Sequence, residues 1–176
     1  MEVLLPLLIF FAMSGAVLWM VWRVVVAGGR ARRDNASATR TAETARRAEM
    51  QLADLLVVVD EMRRRRIAPA ETAPALSACW TELGRHVAEA TALAKGGQWA
   101  SSATALVGDL ERAQRAIELV AHGGQLLSDP RGSDYGEGET SVKRGYVNLV
   151  HAREAIHERR ETIVLAAQAR RAGVRD

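Results

Sequence analysis

ATRTAETARRAEMQLADLLVVVDEM, residues 38–62, places apolar side chains at Ala38, Ala42, Ala45, Ala48, Leu52, Leu55, Val59 and Met62. Steps of three and four residues lay these positions along one stripe of an α-helix, the pattern of a coiled-coil seam or a bundle helix. Leu56, Val57 and Val58 widen the stripe midway, so the helix is expected to meet more than one neighbour. The reading is a long first helix over about residues 33–66 in an all-α fold. Composition agrees with it. Apolar residues make up 48% of the 176-residue chain but aromatics only 5%, so the core must come largely from Ala, Leu and Val. Such a core favours close-packed helices over sheets.

Toward the carboxyl end, IAPAETAPA at residues 67–75 breaks the pattern with Pro69 and Pro74, and Thr72 is a candidate cap for the next helix. This second helix is expected over 74–95, with Leu76, Cys79, Trp80, Leu83, Val87, Ala90, Leu93 and Ala94 on its apolar side. Gly96 and Gly97 end it and permit a tight turn. A third, over 98–121, repeats Ala103, Leu106, Leu110, Ala113, Ile117 and Val120 at helical spacing. Residues 122–139, HGGQLLSDPRGSDYGEGE, read as a flexible loop, long for a compact domain and therefore a candidate binding element. Thr140 or Ser141 then caps a fourth helix over 140–171, with Val142, Tyr146, Leu149, Val150, Ile156, Ile163 and Ala167 facing inward. Short connections make successive helices antiparallel, giving a bundle of about four helices over 33–176 with long first and last members.

Toward the amino end, VLLPLLIFFAMSGAVLWMVW at residues 3–22 holds no charge between Glu2 and Arg23. About 20 apolar residues span a bilayer core as a helix, so residues 1–27 are read as a transmembrane anchor. Arg23, Arg30, Arg32 and Arg33 come after it, and cationic flanks stay cytoplasmic. A single-pass protein of the cytoplasmic membrane is expected, amino terminus outside and helical domain inside. A cleaved signal peptide fits less well, because no basic n-region precedes the apolar run. Trp19 and Trp22 sit where aromatic rings anchor at headgroup level. Gly28 and Gly29 lie in a basic hinge, residues 28–32. Ala12 and Ala16 are spaced to let two spans approach, so a homo-oligomer is open. In an up-and-down bundle the fourth helix returns toward the lipid, bringing Arg170 and Arg171 to its surface.

The formal net charge is only +3, not the footprint of a nucleic-acid binder. Location of charge matters more than its total. Arg63, Arg64, Arg65 and Arg66 close the first helix, where cations complement the macrodipole without any ligand. The alternative reading of the same four is a docking site for an acidic partner, and the up-and-down topology is expected to put them at the end that also carries the 122–139 loop. Asp129, Asp134, Tyr135 and Glu137 are the loop residues expected to share that surface.

Catalytic constellations are weak. Cys79 is the single cysteine and His86 lies two helical turns from it, too far for a thiolate pair. His151, Glu154 and His157 give one Glu-x-x-His spacing, whereas a di-iron bundle needs two, with bridging carboxylates from other helices. Glu82 with His86 and Glu118 with His122 add pairs at helical spacing and nothing more. The acidic loop fails the calcium-loop spacing, and no phosphate loop or nucleophile elbow occurs. Trp80 and Trp99 read as core or bundle rim. In outline the chain resembles the b subunit of the rotary ATP synthase, but Pro69, Pro74, Gly96–Gly97 and Gly123–Gly124 cut the single stalk helix of that family. It also resembles LemA-type proteins, a span followed by a bundle, without a matching motif. The expected function is therefore a non-enzymatic membrane-anchored scaffold or accessory subunit without cofactor or metal, docking a protein partner or larger membrane complex. The alternatives are a sensory bundle binding a small ligand between its helices and a carboxylate/His metal-binding bundle.

Overall fold

A computed structural model of the chain describes residues 4–128 and 132–173, with the side chains of residues 4–17, 24–33 and 171 outside that description. The described chain is α-helical throughout its regular structure: α1 Leu4–Arg63, α2 Pro69–Ala94, α3 Ala100–Leu127 and α4 Tyr135–Gly173. It divides into two compact units, Met1–Ala36 and Ser37–Asp176.

The second unit is an antiparallel four-helix bundle. Its part of α1 meets α2 through Arg47 and Glu89, 3.1 Å apart, and α4 through Glu49 and Arg160, 2.9 Å apart. α3 packs against α2 and α4. Ala45, Ala48, Leu52, Leu55, Val59 and Met62 are all buried in one core with Leu83, Leu106, Leu110, Ile117, Leu149 and Ile156. Each fully buried Leu or Ile contributes roughly 1.5–3 kcal/mol, so these stripes carry the fold. Of the widened patch, Leu56 enters the core while Val57 stays exposed. Trp99 is buried at one end with Ala38 and Ile163, and the Arg170 guanidinium lies over its ring at 5.4 Å.

Within the bundle, three boundaries shift by five residues or more from those the sequence suggests. α2 starts at Pro69, not at residue 74, because proline fits the first helical turn, where its missing N–H leaves nothing unpaired. Thr72 is thus inside the helix and caps nothing. Its buried hydroxyl donates to the Pro69 carbonyl at 2.7 Å and touches the Met62 sulfur at 3.2 Å. α3 runs on through Gly123 and Gly124 to Leu127, and α4 begins at Tyr135, so most of the expected 122–139 loop is helix. Neither Thr140 nor Ser141 caps α4: the Thr140 hydroxyl bonds the Gly136 carbonyl within the helix.

The physical reason is close approach. A Cβ on Gly123 would lie 2.7 Å from the Gly138 carbonyl oxygen and 2.8 Å from the Val142 amide, and one on Gly145 only 2.6 Å from Val120 Cγ2. These glycines let two helix backbones touch, and the packing outweighs the roughly 1 kcal/mol each costs inside a helix.

In the first unit, the backbone at Gly28 and Gly29 is helical, so the expected break in the helix at residues 28–32 does not occur. Leu18, Trp19, Met20, Val21 and Trp22 are all exposed, and Arg23 lies over the Trp19 ring at 5.3 Å. Among the described residues no helix is long and apolar enough to cross a membrane. Most of the apolar run at residues 3–22 lies outside the described side chains, as do those of Arg30, Arg32, Arg33 and Arg171.

Candidate functional site

At the end of the bundle far from Ser37, α1 stops beside the start of α4. The Arg65 amide donates to the Met62 carbonyl and the Arg66 amide to the Glu61 carbonyl, both at 2.9 Å. This is the paired bonding of a Schellman ending, which satisfies the last carbonyls and requires a left-handed residue one place past the cap. Arg65 holds that place with φ 59°, the one positive-φ residue other than glycine among the described residues. An L side chain there costs roughly 1–2 kcal/mol that glycine avoids.

Each arginine of the cluster has a carboxylate. Arg63 and Arg64 share Asp60 at 3.0 and 2.8 Å, Arg66 reaches Glu61 at 2.6 Å, and Arg65 crosses to Glu139 of α4 at 2.6 Å. Hydrogen bonding to Glu139 holds the Arg65 pKa above its ordinary value. The Arg63 guanidinium also stacks on the Tyr146 ring at 4.5 Å. Helix end, turn and α4 enclose a recess of about 660 Å³. Arg63, Arg64, Arg65, Arg66 and Lys143 rim it, and Met62, Ile67, Leu127 and Val142 form its apolar floor.

Among the residues singled out from sequence, this recess gathers the four arginines and Tyr135. Asp134 and Glu137 are exposed and do not line it; the Asp134 carboxylate accepts the Ser133 hydroxyl at 2.7 Å. Asp129 lies outside the described residues. Lys143, Leu127, Ile67 and Val142 carry no site signal in the sequence. They come from three different segments, and only the closing of α1's end against the end of α3 and the start of α4 puts them together. Arg170 stands at the opposite end of the bundle, over Trp99.

A second depression, about 480 Å³, runs between α2 and α3 and shares Pro69 with the first. It is lined by Leu76, Ile117 and Trp80, whose indole N–H donates to the Glu118 carboxylate at 3.1 Å. Trp80, expected on the apolar side, is 43% exposed here.

Burial pushes the Cys79 thiol up to about 11, so it stays protonated and a poor nucleophile. Burial likewise lowers the pKa of His86, whose Nε2 faces Gln51 Oε1 at 3.2 Å. His157 Nδ1 lies 2.9 Å from Glu49, and His151 and Glu154 are exposed. Asp109, fully buried on α3, pairs with Arg112 and, at 2.6 Å, with Arg159 of α4. The sequence reading passes over this bridge, although an acid between Leu106 and Ala113 on the apolar stripe is a signal that could have found it. Among the described residues no group of three His, Cys, Asp or Glu side chains is placed to hold a metal.

The fold and this end define a helical bundle with a cation-rimmed recess built on a strained turn. No protein-family model matches the chain, and neither curated proteins nor solved structures provide a match.

Proposed function

We propose that the chain is a membrane-anchored scaffold or accessory subunit, not a catalyst, that docks a protein partner through the end of the bundle carrying Arg63, Arg64, Arg65 and Arg66. The observation that carries this reading is the recess, where arginine and tyrosine, the residue types that dominate binding hot spots, surround an apolar floor. The strained Arg65 supports it, because costly backbone conformations cluster at working sites.

Anchoring is supported by residues 18–22. Five consecutive apolar side chains, each more than half exposed, cover the full circumference of a helix, and such a surface belongs in lipid or inside an assembly. The charges after the span favour a cytoplasmic bundle with the amino terminus outside. Reporters fused to the two termini test that sidedness; a carboxyl terminus found outside rejects it.

The docking test is affinity purification of the full chain from native membranes. Changing Arg63, Arg64, Arg65 and Arg66 together to Ser, or shortening the 128–134 connection, is expected to lose the same partner. Retention by both variants rejects docking at this end. The groove between α2 and α3 favours a second reading, a small apolar ligand held against Trp80. A tryptophan-fluorescence titration, repeated in Trp80→Phe, separates that reading from the first.

A further inference from the structure

Resting on the docking proposal, we infer that the recess takes an acidic, amphipathic segment of the partner protein, one apolar side chain on the floor and carboxylates on the cationic rim. The chemistry of the lining carries this. Five cations, Arg63, Arg64, Arg65, Arg66 and Lys143, border a floor of Met62, Ile67, Leu127 and Val142. Three carboxylates answer them: Asp60 and Glu61, bound back along α1, and Glu139. Positive charge therefore remains in excess at the rim. No described carboxylate lies within ion-pairing distance of Lys143.

The Arg65–Glu139 pair shows what the rim accepts. It is a carboxylate held at 2.6 Å, with the two side chains 73% and 51% exposed. Ion pairs this exposed are screened by solvent and contribute little, so an incoming Asp or Glu exchanges readily with Glu139. Arg65 is offered to that exchange by the left-handed turn, which a glycine would make with less strain. The same mixture argues against other polyanions. Asp60 and Glu61, paired with three of the arginines, repel a continuous phosphate backbone. A flat bilayer surface leaves Ile67, Leu127 and Val142 unfilled, whereas a peptide side chain covers them.

The experiment places a photo-crosslinking amino acid at Tyr135 or at Lys143 of the full chain in cells. The captured segment is identified by mass spectrometry, then bound as a synthetic peptide to the purified full chain. The expected capture is a protein segment with at least two Asp or Glu close to a large apolar residue. Its affinity should fall about tenfold when those acids become amides, when Arg64→Gln and Arg65→Gln are combined, or when salt is raised to about 0.5 M. Arg65→Gly guards against misfolding: its turn is relaxed, so the protein stays folded while peptide binding still weakens. A captured segment without carboxylates, or affinity indifferent to these changes, overturns the acidic ligand but leaves docking standing. Adducts to lipid alone, or none at all, overturn both.

Discussion

The two ends of the bundle are built on opposite terms. At one, Trp99 is buried with Ala38 and Ile163 and roofed by Arg170, an apolar plug whose burial stabilises the fold. At the other, α1 ends on a strained arginine, charges pair in the open, and a recess is left where larger apolar side chains would have closed it. The difference teaches where stability was concentrated and where it was given up. A region that gives up stability without need would carry glycine at residue 65, where the left-handed turn costs it nothing.

The sharpest way to break this contrast is to empty the closed end. Trp99→Ala should cost about 3–5 kcal/mol, read as a lower chemical-denaturation midpoint; a loss under about 1 kcal/mol would show that the plug carries little. Next comes the seam joining the ends. Gly145→Ala inserts a Cβ 2.6 Å from Val120 Cγ2 and 3.0 Å from the Ala116 carbonyl oxygen, neither of which lies on a long flexible side chain. Overpacking of this kind costs about 1–3 kcal/mol, and a neutral result in the same denaturation assay would mean the helices part freely. Smallest, and of opposite sign, Arg65→Gly should stabilise the bundle by about 1 kcal/mol despite losing the exposed Glu139 pair. A lower melting temperature for that variant would remove strain as an argument for function.

How much of the fold is legible in the sequence varies along the chain. Every α3 position read as core is buried, namely Ala103, Leu106, Leu110, Ala113, Ile117 and Val120, although Asp109 and Ala116 join them. Helical spacing alone determines such a face. The glycines misled because the same residue ends helices and lets helices touch. At Gly123, Gly138 and Gly145 contact with the neighbouring helix decides, and that is a tertiary fact absent from local pattern. Trp80 reads as apolar, yet its indole finds a carboxylate at the surface. Half of the recess was legible, since a run of arginines at a helix end stands out. Its floor was not, because Ile67, Leu127 and Val142 are ordinary residues until the bundle closes.

The touching backbones of α3 and α4 also govern how the bundle moves. Helices separated by long side chains can slide or roll as those side chains change rotamer; where carbonyl oxygens sit against a neighbour's glycine, no such slack exists. The wall of the recess that α4 supplies is thus geared to α3 like meshed teeth.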